Sequence, residues 1–294
     1  MSIVVIINPF AGGRARAVGA RVELARRVAA DCGEPADVFV TEQPGHARTL
    51  TRAARESGAR LVVAWGGDGT VNEVATELAF GDVAVAIVPA GSGNGLATEL
   101  KVPRDPAQAL AAAIRATPRR MDVGEIGGRL FINIAGIGFD AHIASRFNEP
   151  GNRRRGLAGY VGIAARAFAT YVPVQYVITT PDARIETRAV LVAVANATQY
   201  GNGARIAPSA RVDDGLLDLV IVEERWRVGT LCRLPRLFNG TIAKSPGCTL
   251  RRIAKATIAC EAPMIFHVDG EPIVDGFTLA VRVHPGALWI AAPR

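Results

Sequence analysis

Three short apolar runs in the first third of the chain each end in a glycine-rich loop, and this pattern narrows the fold more than any other feature. Ile3 to Ile7 runs into Asn8-Pro9-Phe10-Ala11-Gly12-Gly13. Leu61 to Trp65 runs into Gly66-Gly67-Asp68-Gly69-Thr70-Val71-Asn72-Glu73, and Val83 to Val88 into Pro89-Ala90-Gly91-Ser92-Gly93-Asn94-Gly95. Apolar runs without polar alternation suit strands covered on both faces. Between and after them, Arg14 to Asp31, Gly45 to Ser57, Val71 to Phe80 and Pro106 to Ala116 read as helices, with Asp37 to Thr41 as a further strand. Short strands alternating with helices predict a parallel sheet with helices on both faces. Ligands of such sheets sit at the carboxyl ends of the strands, where these loops lie.

The character changes after Pro118. Met121 to Ile126, Gly127-Gly128 and Arg129 to Ile134 read as a hairpin. Val174 to Thr180, Arg188 to Ala195, Leu217 to Val222, Thr257 to Cys260, Ile265 to Val268 and Thr278 to His284 read as strands. Helical patterns are confined there to Leu157 to Thr170 and Arg227 to Asn239. The expected fold is an α/β N-terminal domain, residues 1–121, followed by a β-rich antiparallel sandwich-like domain, residues 122–294, whose last few residues are free to pack back on the first. With 294 residues, 49% of them hydrophobic and 21% charged, the chain can bury a sizeable core. No apolar run approaches the ~18 to 20 residues of a membrane-spanning helix. Met1 to Ile7 lacks a basic leader and reads as a first strand, not a signal peptide. Cys32, Cys232, Cys248 and Cys260 show neither metal-ligand nor disulfide spacing, so reduced thiols in a cytoplasmic protein are expected. The four histidines, His46, His142, His267 and His284, form no ligand cluster in the sequence.

Glycines let backbone N–H groups approach an anion, and each loop feeds a helix N-terminus whose dipole favours phosphate. Thr70, Asn72 and Ser92 add hydroxyl and amide partners. Asp68 beside such a cradle needs a cation or fixed N–H donors, so it reads either as a group near Mg²⁺ or as a helix cap. Asp269-Gly270-Glu271 and Asp213-Asp214-Gly215 read on their own as turns. No Gly-x-x-x-x-Gly-Lys-Ser/Thr, no Gly-x-Gly-x-x-Gly after the first strand and no protein-kinase catalytic loop is present, which argues against a P-loop ATPase and a dinucleotide-binding dehydrogenase.

Gly66 to Asn72, GGDGTVN, resembles the nucleotide-binding signature shared by diacylglycerol kinases, sphingosine and ceramide kinases, NAD kinases and phosphofructokinases. Asn8-Pro9-x-x-Gly12-Gly13 and Gly91-Ser92-Gly93-Asn94 resemble the lipid-kinase branch, as do Asp213 to Asp218 and Val268-Asp269-Gly270-Glu271-Pro272. The match is in order and spans essentially the whole chain. It implies an ATP-dependent kinase acting on a hydroxyl of diacylglycerol or a related lipid, in phospholipid biosynthesis. Asn8, Pro9, Phe10, Ala11, Gly12, Thr41, Gly66, Gly67, Asp68, Gly69, Thr70, Val71, Asn72 and Ser92 would surround ATP. Glu271 would accept the hydroxyl proton, with Asp269 and Asp68 as further catalytic carboxylates. Asp214, with the carbonyls of Arg211 and Leu216, would hold a structural Mg²⁺. Ser92 with Gly95-Leu96-Ala97 is closer to sphingosine and ceramide kinase wording, which leaves the lipid open. NAD kinase and a nucleotide-binding regulator without catalysis are the remaining alternatives.

The net charge of +7, almost all from arginine, suits an anionic partner or a solvated surface. Arg153-Arg154-Arg155 precedes the apolar stretch Gly156 to Val161, and Trp226, Leu231, Leu234, Leu237 and Phe238 interleave with Arg225, Arg227, Arg233 and Arg236. Both segments suit transient contact with an anionic membrane surface and equally an ordinary helix with a basic face. No motif supports nucleic-acid binding. A homodimer stays open. Tyr200-Gly201-Asn202-Gly203 either borders the substrate or is a turn.

Overall fold

The computed structural model describes residues 2–12, 18–147, 167–168, 170–224, 236 and 238–293. The chain divides into two compact units, Met1–Met121 with Gly286–Arg294, and Asp122–Pro285.

The first unit is built on β1 (Ile3–Ile7), α1 (Val18–Asp31), β2 (Ala36–Val40), α2 (His46–Glu56), β3 (Leu61–Gly66), α3 (Asp68–Leu78), β4 (Ala84–Pro89), α4 (Gly95–Glu99) and α5 (Pro106–Arg115). Strands β2, β1, β3 and β4 pair in that order, all parallel. Every residue of β1 and β3 is buried, as unalternated apolar runs require, whereas β2 at the edge alternates. Ile3, Val5, Ile7, Val63, Trp65, Ala86 and Val88 pack against Ala25 and Ala29 of α1 and Leu110 and Ala113 of α5. Helices α2 and α3 pack on each other and against β1 and β3. Asp105 caps α5 by accepting the Gln108 N–H at 2.9 Å, with Pro106 at the first helical position.

The second unit runs β5 (Arg119–Ile126), β6 (Arg129–Phe131), β7 (Ile134–Gly138), α6 (Phe139–Phe147), β8 (Val174–Thr179), β9 (Arg184–Ala195), β10 (Leu217–Glu223), β11 (Cys248–Ile253), β12 (Lys255–Cys260), β13 (Met264–Val268), β14 (Glu271–Asp275) and β15 (Thr278–Ile290). Strands β14, β13, β7, β9, β8, β12 and β15 pair successively and antiparallel, and β10 joins β9 to β11. Phe131, Phe266, Ile178, Val192, Leu219 and Leu279 fill its core. The last residues of β15, Trp289 and Ile290, belong to the first unit and pair in parallel with Ala84 and Val85 of its sheet. The expected α/β and antiparallel β-rich classes are both present.

Several elements differ from expectation. α3 begins at Asp68, inside the glycine-rich motif, instead of at Val71. The second half of the expected hairpin divides into β6 and β7, because Ile132 and Asn133 turn towards Asp269. α6, β11 and β14 were not foreseen. β14 contains Pro272, which an edge strand tolerates because its partner lies on one side only. The two helices expected at Leu157 to Thr170 and Arg227 to Asn239 fall mostly outside the described residues, as do most of the basic patches. Arg236 donates to Ser245 Oγ at 3.0 Å, and Phe238 is exposed.

Candidate active site

The three glycine-rich loops of the first unit are tied into one assembly by side chains of the loops themselves. Asn8 donates from Nδ2 to Thr70 Oγ1 at 2.9 Å, joining the loops after β1 and β3. Its Oδ1 accepts the Phe10 N–H, and Arg21 of α1 donates to the carbonyls of Asn8 and Ala11. Asp68 joins the loops after β3 and β4. Its two carboxylate oxygens accept the N–H groups of Asn94 at 2.9 Å and Gly95 at 2.8 Å. Asn94, at φ 49°, turns back so that its amide pairs with both the N–H and the carbonyl of Gly91. Backbones touch here: a Cβ at Gly91 would lie 2.7 Å from Gly67 Cα, and one at Gly66 2.5 Å from Thr70 Cβ. Glycine is therefore required at these positions. Thr41 is buried and donates its N–H to Ile7 O, while Glu73 accepts the N–H groups of Gly45 and Arg48 and so fixes the segment after Thr41.

Asp68 was expected near Mg²⁺ or as a cap of the helix following it. The structure places its carboxylate across the start of α4, on another loop. Asp68→Ala leaves two backbone donors without that acceptor and releases the Gly91 to Gly95 loop. If these loops bind ATP as the resemblance implies, calorimetry is expected to show binding weakened by at least about tenfold, and by less for Asp68→Asn.

In the second unit, Asp269 and Gly270 form the two-residue turn between β13 and β14, with Val268 paired to Glu271. Both have positive φ, 49° and 91°, as a type I′ hairpin turn requires. The Asp269 carboxylate accepts three backbone N–H groups, from Ile132 at 2.9 Å, Asn133 at 2.9 Å and Ile134 at 3.0 Å. Its own N–H donates to Ile134 O at 3.0 Å. Asp269 thereby locks the turn to the β6–β7 connection. Glu271, two residues on, is exposed. The two acidic residues of this motif have different surroundings: Asp269 is wrapped by amides, and Glu271 is an exposed residue.

The Asp213 to Asp218 loop gathers negative charge. Asp214 Oδ1 accepts the Leu216 N–H, and its Oδ2 pairs with Arg252. Buried Asp122 accepts the Gly215 N–H at 2.7 Å. Burial pushes the Asp218 carboxyl above its ordinary range and the Asp214 charge adds to the rise, while Ser209 and Arg252 oppose it. Among the described residues no group of three or more His, Cys, Asp or Glu is placed to hold a metal. The ligands that the resemblance implies for Mg²⁺, Asp214 with the carbonyls of Arg211 and Leu216, are all oxygens, and both Asp214 oxygens are already engaged here.

The sequence matches the diacylglycerol kinase catalytic domain over residues 2–126 and the YegS C-terminal NAD kinase beta sandwich-like domain over residues 133–292. The chain belongs to the family of diacylglycerol-kinase-like lipid kinases of the YegS type. Within it, the protein named "Probable lipid kinase YegS-like" of Chromohalobacter salexigens is 34% identical over 269 residues, 90% of this chain and 86% of that protein. The protein of the same name from Pseudomonas aeruginosa is 34% identical over 266 residues, again 90% and 86%. A diacylglycerol kinase structure from Bacillus anthracis str. Sterne has a TM-score of 0.76 at 20% identity, covering 99% of this chain and 97% of that one, a likeness of fold. Membership of this lipid kinase family makes the chain a kinase. The residues that the family resemblance singled out in the first unit, Asn8 to Gly12, Gly66 to Asn72 and Ser92, lie on three mutually bound loops. Asn94 stood in a quoted motif without a role of its own, and Glu73, Arg21, Asp122 and Asp140 were given none. The last four bond to groups ten or more residues away, which no local pattern announces.

Proposed function

We propose that this diacylglycerol-kinase-like lipid kinase transfers the γ-phosphate of ATP to a hydroxyl of diacylglycerol or a related lipid, with Glu271 as general base. The observation that carries the assignment of the base is the sorting of carboxylates in the second unit. Asp269 has both oxygens engaged by three N–H groups, which commits its carboxylate to holding the turn. Glu271 is exposed on the strand that this turn fixes. The close backbone packing of Gly66, Gly67 and Gly91, with α3 starting at Asp68, supports phosphate binding by the loops after β1, β3 and β4.

In the proposed step, the lipid hydroxyl oxygen bonds to the γ-phosphorus as the bond from that phosphorus to the ADP oxygen breaks. The hydroxyl proton passes to the Glu271 carboxylate, leaving phospholipid and ADP. Asn8, Thr70, Asp68 and Asn94 hold the nucleotide loops in place, and Asp269 holds the base. Mg²⁺ bound at Asp214 would neutralise charge in its loop. Adding Mg²⁺ at about a hundredfold over its Kd is expected to stabilise the protein by roughly 3 kcal/mol in thermal melts. Asp214→Ala is expected to abolish that increment.

Diacylglycerol leads, and a sphingosine or ceramide-type acceptor is the second reading, favoured by Gly95-Leu96-Ala97 after the third loop. A panel of dispersed diacylglycerol, ceramide and sphingosine, with NAD as a further acceptor, assayed with ATP radiolabelled at its γ-phosphate, decides among them. Label in NAD alone would refute the lipid reading. Contact with a membrane surface on the cytoplasmic side belongs to the same proposal. Among the described residues no helix is long and apolar enough to cross a membrane.

A further inference from the structure

We infer that a chain of half-buried Tyr200 and buried Asp140 and His267 positions the turn that carries Glu271. The inference rests on the reading of Glu271 as the base and makes His267 and Asp140 positioning residues for that reaction. His267 lies opposite Gly136 on the paired strands β13 and β7 and is 3% exposed. Asp140, in the first turn of α6, is 6% exposed. The Asp140 Oδ2 atom accepts the Tyr200 hydroxyl at 2.9 Å and lies 3.3 Å from His267 Nε2. On the other side of the ring, Nδ1 accepts the Gly270 N–H at 3.3 Å. A backbone amide can only donate, so Nδ1 carries no proton in this arrangement. Nε2 therefore holds the ring proton and donates it to Asp140. The carboxylate selects the tautomer, and the tautomer is what lets the ring hold Gly270.

Space is reserved for this chain. A Cβ on Gly136 would lie 1.8 Å from Asp140 Oδ2 and 2.8 Å from His267 Nε2. A buried carboxylate and imidazole stabilise a core no better than apolar residues of the same volume do, so packing alone gives no reason for them. Their reach to Gly270 supplies one. Asp269 is gripped from the β6–β7 side and Gly270 from the His267 side, so both residues of the turn are fixed where the backbone enters Glu271.

The test uses three substitutions of His267, with Asp140→Asn and Glu271→Gln beside them, in the full chain. His267→Asn keeps an acceptor near Nδ1 and loses the link to Asp140. His267→Gln keeps a donor near Nε2 and loses the acceptor, and His267→Phe loses both. The expected result is a fall in kcat of about tenfold to a hundredfold for Gln and Phe, with KM for ATP unchanged and most of kcat retained by Asn. Long-range ¹H–¹⁵N spectra of the histidine rings report the tautomer independently of turnover, the His267 signal being assigned by its loss in His267→Asn. Wild type is expected to show the proton on Nε2, and Asp140→Asn to shift it towards Nδ1. A wild-type ring protonated at Nδ1, or equal kcat losses for Asn and Gln, overturns the inference. Loss of transfer in Glu271→Gln with undiminished transfer in His267→Phe overturns it too, while leaving the proposed function standing. No transfer by the wild type to any lipid defeats the function itself.

Discussion

Glu271→Gln is expected to lower phosphate transfer to lipid by about 10²- to 10⁴-fold, the usual contribution of a positioned general base. That corresponds to roughly 3 to 5 kcal/mol of transition-state stabilisation. The amide keeps the size of the carboxylate and cannot take the proton. Because Glu271 is exposed at the start of an edge strand, the substitution is expected to change stability by no more than about 0.5 kcal/mol. Nucleotide binding, assigned to the loops of the other unit, is expected to be unchanged. Steady-state transfer assays beside calorimetric ATP binding check the pair. A variant with weakened ATP binding and unchanged kcat would remove Glu271 from the chemistry.

Asp269→Ala has the largest expected effect on stability. It withdraws the acceptor from Ile132, Asn133 and Ile134 together and leaves alanine at a left-handed φ of 49°. A buried donor without a partner costs about 1 to 3 kcal/mol. The site is half-buried, so water reclaims part of that loss, and about 3 kcal/mol in all is expected, roughly 6 to 12 °C in Tm. Asp269→Asn keeps one acceptor oxygen and tolerates positive φ, and loses about 1 kcal/mol. Thermal melts of the two variants decide. An alanine variant as stable as wild type yet inactive would move Asp269 from a structural role to a chemical one.

The first unit was largely legible in the sequence. Strands such as Ile3–Ile7 and Leu61–Gly66 are buried on both faces and carry no polar alternation, so their type follows from composition alone. Glycine spacing marked the loops because a Cβ at Gly66 or Gly91 cannot be accommodated. The second unit was less legible. α6 follows the apolar Ile134–Gly138 without a boundary, and β14 begins beside a proline. The roles of single carboxylates were the least legible of all. Asp68, Asp269 and Glu271 stand in similar glycine-flanked motifs, and what separates them is the set of backbone amides that tertiary structure brings to each. Asn94 and Gly95 reach Asp68 from a loop more than twenty residues away, and Ile132 to Ile134 reach Asp269 from a separate strand pair. Asp140 had no motif, and only its contacts with Tyr200 and His267 give it a part.

The most direct measurement of the central claim is the fate of the γ-phosphate when the protein is incubated with labelled ATP, Mg²⁺ and dispersed diacylglycerol. Label extracted with the lipid in a phosphorylated product, formed by wild type and nearly absent with Glu271→Gln, is the expected result. ATP bound normally with no label in any lipid of the panel would contradict it.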